Sequence, residues 1–241
     1  MGADWDWQVF FQSAGDYPTY WQWMVSAWGW SAAVAALSLA LAFVLGSVVG
    51  IIRTLPNRPC LAFLGTCWVE LFRNIPLLVQ IFLWYHVLPE FVPALKTLSS
   101  FLLVVIALGI YSSVRVGEQV RAGILALPRG QRYAGMALGF TTVQYYRYVI
   151  LPMAYRIVIP TLTSEAMNVF KNSSVAFAVS VTELTWFAMQ VGEETARPVE
   201  VYAAVTALYG ISAFLINRVM AVIERRARVP GLVVAGSAGG H

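Results

Sequence analysis

Residues 32–52, AAVAALSLALAFVLGSVVGII, hold no charged side chain at any position. A helix of ~20 residues rises about 30 Å, the depth of a bilayer's hydrocarbon core. Nothing in this stretch needs water, so it predicts a membrane-spanning helix. Further apolar runs follow at about 61–88, 98–114, 149–170 and 201–222. Only 12% of the chain is charged and its mean hydropathy is +0.68, whereas a soluble domain carries about 25% charge to cover itself. The expected fold is therefore an all-α integral membrane protein with five transmembrane helices.

Upstream of that first run, residues 1–30 are crowded with aromatics, among them Trp5, Trp7, Trp21, Trp23, Trp28 and Trp30. Such rings settle at the headgroup level, half buried and half wet. Residues 1–27 are accordingly read as an interfacial segment, 28–225 as the transmembrane domain and 226–241 as a tail. Asp4 and Asp6, with no basic residue before Gln12, do not suit a signal peptide, so the first run is expected to stay in the protein. Gly46 and Gly50 form a small-xxx-small pair that permits close helix packing.

Downstream, the run 61–88 is interrupted by Glu70, Arg73, Asn74 and Pro76. Glu70 and Arg73 stand three apart, hence on one helix face where they neutralise each other. Residues 61–75 are expected to start on the cytoplasmic side, with the crossing continuing to His86. Pro160 lies inside the fourth run, and 175–191 is expected to be a broken or half-depth helix. Cys60 and Cys67, in apolar surroundings and without a His cluster, read as small buried hydrophobes rather than as a zinc site or a disulfide framework.

Basic residues fix an orientation. Arg53, Arg58, Arg73, Arg115, Arg121, Arg129, Arg132, Arg147, Arg218, Arg225, Arg226 and Arg228 all fall on one side if the spans alternate. The other side holds only Lys96 and Arg197 among bases, against Asp4, Asp6, Asp16, Glu90, Glu193, Glu194 and Glu200. Lys and Arg mark the cytoplasmic side, which puts the N-terminus in the periplasm and the C-terminus in the cytoplasm. The net charge of +4 then suits anionic lipid headgroups, not nucleic acid.

The longest polar stretch, 115–147, has helical order of its own. Pro128-Arg129-Gly130 signals a turn. Ala134, Ala137 and Leu138 follow at helical spacing, and Gly139 is placed to end that helix. Thr141 precedes Gln144 by three, the spacing of a capping box that opens a second helix. The loop, 121–152, thus reads as a rigid helix-break-helix knuckle outside the membrane, with an amphipathic helix on the inner leaflet as the alternative.

Tyr133-Ala134-Gly135, then Gly139, then Val149-Ile150-Leu151-Pro152 keep the spacing of a family hallmark: E-A-A, three residues, G, nine residues, I-x-L-P. In this loop the chain resembles the membrane subunits of type I ATP-binding-cassette (ABC) importers, with Tyr133 in place of the Glu and Gly135 in place of the second Ala. VELFRNIPLLVQ (69–80), LPRGQRYAGMALGF (127–140) and NVFKNSSVAFAVSVTEL (168–184) resemble the polar amino-acid branch. The last of these, with FAMQVGEET (187–195), is most similar to bacterial glutamate/aspartate importer permeases. The resemblance implies a multi-pass subunit of the bacterial inner membrane that works with a second permease, an ABC ATPase dimer and a periplasmic binding protein. It implies that Gln131, Tyr133, Ala134, Gly135, Ala137, Leu138, Gly139, Leu151 and Pro152 form the surface that couples to the ATPase. Small residues there would let the two backbones approach.

The chain itself lacks Gly-Lys-Ser/Thr, the phosphate-holding core of a P-loop; its only lysines are Lys96 and Lys171. ATP is therefore expected to be bound by partner subunits only, with no cofactor, metal or catalytic residue here. Burying an ionised group at bilayer depth costs roughly 2.5–3.5 kcal/mol, so Glu165, Asn168, Lys171, Asn172, Ser173 and Ser174 draw attention as a dense polar set. Glu165, Asn168 and Asn172 share a helix face and are read as lining a translocation path. Lys171 stands to meet a substrate carboxylate, unless it pairs with Glu165 or Glu183 or snorkels to headgroups. A permease for glutamine or histidine, or an ion-coupled secondary transporter, are the other readings.

Overall fold

A computed structural model describes residues 5–128, 130, 131, 135 and 137–227, and among them the chain is helical nearly throughout. In chain order the helices are α1 (Tyr20–Ile52), α2 (Pro59–Arg73), α3 (Leu77–Phe91), α4 (Ser100–Leu125), α5 (Thr142–Val179), α6 (Leu184–Glu194) and α7 (Pro198–Ala227). Three of them, α1, α4 and α7, are long and apolar enough to cross a membrane alone. The bent pairs α2–α3 and α5–α6 pass the same test only when each pair is taken together, so the described residues hold three to five candidate spans.

Helix α1 begins where the Thr19 hydroxyl accepts the Gln22 N–H at 3.3 Å. Residues 20–27, read from sequence as part of an interfacial segment, are continuous with this helix. Tyr20, Met24, Ala27, Ser31, Val34 and Ser38 recur at three- and four-residue steps and are all buried, so packing extends the helix through the aromatic stretch. Before it, the turn Trp7–Phe11 folds Val9 and Phe10 into a cluster with Met24, Phe187, Val191 and Val201.

Helix α4 corrects an expected boundary. The apolar run stops at Val114, yet the helix continues to Leu125 because Val116, Val120 and Ile124 stay buried. Arg115, Glu118 and Arg121 occupy its other face, so residues read as loop are helical. Helices α1 and α4 lie in direct backbone contact. A Cβ on Gly46 would sit 2.6 Å from Val116 Cβ, and one on Gly50 only 2.7 Å from the Gly117 carbonyl. The small-xxx-small pair does what its spacing predicts.

Both bent spans carry their own repair. Between α2 and α3 the chain turns by 103°. Pro76 has no N–H, which orphans the Phe72 carbonyl one turn back. Gln80, with no exposed surface, donates its amide to that carbonyl at 2.9 Å and to the Ile75 carbonyl at 3.0 Å. Between α5 and α6 the bend is 53°, as expected of a broken segment, with Ser180 in the left-handed region at φ +59°. Fully buried Glu183 caps α6, accepting the Thr185 and Trp186 N–H groups at 2.9 Å, while Ser31 accepts the Leu184 N–H at 3.1 Å.

Ile211, Phe214, Leu215, Val219 and Val222 of α7 are exposed, the composition of a face against acyl chains. Cys60 and Cys67 are free and exposed on α2 rather than buried; the buried edge of that helix is Gly65 and Val69.

Candidate functional site

Two places combine polarity with shape: a cleft within the bundle and the knuckle at one end. The cleft, about 470 Å³, opens between the end of α2 (Phe72, Arg73), one face of α4 (Tyr111, Arg115, Glu118, Gln119) and α5 (Ser164, Glu165, Asn168). The α4 residues recur at three- and four-residue steps, so one helix face supplies a whole wall.

Four charged side chains reach this cleft. Arg73 pairs with Glu70 one turn back, as its spacing predicts. Glu118 pairs with Arg53 Nη1 at 2.5 Å and Arg121 Nη1 at 3.9 Å, tying the end of α1 to α4. Glu165, only 3% exposed, faces Arg115 Nη1 at 3.9 Å, with Asn168 one turn further along α5 on the same cleft. Each of these four charges thus has a counter-charge, which lowers the cost of keeping it at membrane depth.

Of the six path residues proposed from sequence, Glu165 and Asn168 line the cleft. Asn172 and Ser174 are half-buried further along. Ser173 is buried and donates to the Phe170 carbonyl at 2.7 Å. Lys171 is exposed and has no ion-pair partner among the described residues. Sequence reasoning missed Arg115, Glu118 and Gln119 because they were assigned to a loop; the signal present was their spacing with Tyr111. It also missed the anchor formed by Glu183 with Tyr209, whose hydroxyl donates to it at 3.1 Å.

At the knuckle, Tyr133 and Ala134 lie outside the described residues. Gly139 ends the first helix at φ +77°, and the Phe140 N–H reaches back to the Gly135 carbonyl at 3.1 Å, the bond that closes a helix over a left-handed glycine. The Thr141–Gln144 capping box is formed in both directions. Gly135 is buried with room for nothing more: a Cβ there would sit 2.8 Å from the Tyr145 ring. Its small size serves packing inside the chain. Gln131 is half-buried, Ala137, Gly139 and Pro152 are exposed, and Leu151 packs in the cluster of Tyr145, Tyr146 and Ile150.

That cluster braces the knuckle on Ile124 and Leu127. The Tyr146 hydroxyl adds a 2.6 Å bond to the Thr54 carbonyl past the end of α1. From this rigid base Leu138 (73% exposed) and Val143 (75%) project outward.

Comparison with known proteins supplies the context. The family model "Binding-protein-dependent transport system inner membrane component" matches residues 42–229. The glutamate/aspartate import permease protein GltJ of Escherichia coli (strain K12) is 41% identical over 242 residues, covering 96% of this chain and 98% of that protein. The probable glutamine ABC transporter permease protein GlnM of Bacillus subtilis (strain 168) is 36% identical, covering 80% and 87%. Among solved structures, an amino acid ABC transporter with histidines superposes with a TM-score of 0.75 at 28% identity, over 86% of this chain and 95% of that one. The inward-facing MetNI methionine ABC transporter, at 21% identity and a TM-score of 0.73 over 87% and 98%, shares the fold.

Proposed function

Because the chain belongs to the family of binding-protein-dependent transport system inner membrane components, we propose that it imports glutamate and aspartate. It is the permease component of an ABC-type amino-acid importer, a multi-pass protein of the bacterial inner membrane, and not itself the ATPase. Full-length similarity to a glutamate/aspartate import permease carries the substrate reading. In that reading a periplasmic binding protein delivers the amino acid, a second permease completes the path and an ABC ATPase dimer drives it.

The arginine distribution supports a periplasmic N-terminus and a cytoplasmic C-terminus. The knuckle then faces the ATPase, and the coupling surface runs from Gln131 through Leu138 and Gly139 to Pro152. Its exposed Leu138 and Val143 on a base packed against α4 and bonded past the end of α1 suit the transmission of force, because α4 also walls the cleft. Glu165, Asn168, Lys171, Asn172, Ser173 and Ser174 mark the translocation path, with Glu165 and Asn168 on the cleft itself.

Reconstitution with the ATPase and the binding protein tests the function: labelled glutamate should enter vesicles only with ATP, and uptake on a sodium or proton gradient alone would refute it. Leu138→Asp should remove ATPase copurification by at least about tenfold, the scale of a lost interface anchor, while leaving membrane insertion intact. Unchanged copurification would dismiss the coupling surface.

A further inference from the structure

We propose that Arg115 and Glu165 together receive the zwitterionic head group of the transported amino acid, carboxylate on Arg115 and ammonium on Glu165. This rests on the reading of the chain as an amino-acid permease. The four charged groups of the cleft are not equivalent. Arg73 is held by Glu70 on its own helix, and Glu118 by Arg53 at 2.5 Å. Arg115 and Glu165 meet at 3.9 Å through one pair of atoms, too far for a hydrogen bond. The Arg115 side chain is 50% exposed and makes no hydrogen bond among the described residues, so its five N–H donors are unused.

This pair is close enough to neutralise and too long to lock. Leaving either charge alone at that depth is costly, so a ligand of one sign would strand the other partner. A zwitterion brings one charge of each sign. Entering between α4 and α5, it exchanges one long internal pair for two short external ones and leaves the charge of the cleft unchanged. Carboxylate on guanidinium forms a bidentate pair. On the same wall the Gln119 Oε1 is buried without a partner and adds an acceptor for the ammonium.

The test uses the complete importer in vesicles, at saturating binding protein so that turnover reports the permease. Arg115→Met and Glu165→Gln should each lower ATP-driven glutamate uptake by at least about tenfold, the scale of one lost charge-assisted contact. A merely structural counter-ion would be rescued in the double variant, where neither charge remains. The double variant should stay as impaired as the single ones; recovery to near the wild-type rate overturns the proposal. Should these variants fail to assemble, Arg115→Lys keeps the charge and the fold but loses the planar fork. It should cut uptake by about threefold with an unchanged thermal midpoint, and wild-type uptake there also overturns the proposal. A wild-type complex that takes up no amino acid removes the premise instead, so the two failures are distinct.

Discussion

The two bent spans solve one problem with opposite chemistry. Where α2 gives way to α3, Pro76 removes a donor, so carbonyls are left over and an amide donor, Gln80, fills the gap. Where α5 gives way to α6, a new helix begins, so N–H groups are left over and an acceptor, Glu183, collects them. At membrane depth no water does this work. The side chain at each break is therefore dictated by the polarity of the backbone group that the break exposes. The knuckle is a third break, at Gly139 and Thr141. It is exposed, and water can replace any bond that its caps lose.

Substitution can break this comparison in order of expected effect. Glu183→Leu strips the acceptor from two backbone N–H groups and from the Tyr209 hydroxyl. At ~1–3 kcal/mol for each stranded buried donor, the expected loss is about 4 kcal/mol, measured as a large fall in the thermal midpoint of the purified protein in detergent. Glu183→Gln keeps an acceptor and should cost less than half as much; equal losses would show that hydrogen bonding at α6 is not the reason for this residue.

Gln80→Leu should come next, at about 2 kcal/mol for two orphaned carbonyls, read in the same unfolding assay. Gln80→Glu sharpens the contrast: an ionised carboxylate accepts only, so at this break, unlike the other, the acid should be no better than Leu. Thr141→Ala, at the exposed break, should cost about 1 kcal/mol and leave uptake nearly unchanged. A loss there as large as that at Glu183 would contradict the role given to water.

The bundle's outline was legible in the sequence because spans are long and apolar: the runs at 32–52 and 201–222 fall inside α1 and α7. So were Gly46 with Gly50, the Glu70–Arg73 pair, Gly139 as terminator and Thr141 as cap, all local rules of spacing. Helix ends were less legible. Hydropathy falls at Arg115, but α4 continues because its opposite face stays packed. Part of the cleft followed that error out of view, since Arg115, Glu118 and Gln119 all lie beyond the expected end of the span.

Taken alone, the sequence determined the membrane class, the division into five apolar stretches and the knuckle, because chain length, periodicity and turn chemistry act between residues a few positions apart. Tertiary structure alone decided which polar groups distant in sequence meet. Arg53 with Glu118, Arg115 with Glu165 and Glu183 with Ser31 and Tyr209 join positions far apart in the chain. Coulomb and hydrogen-bond energies fall off with distance in space, and only packing sets that distance.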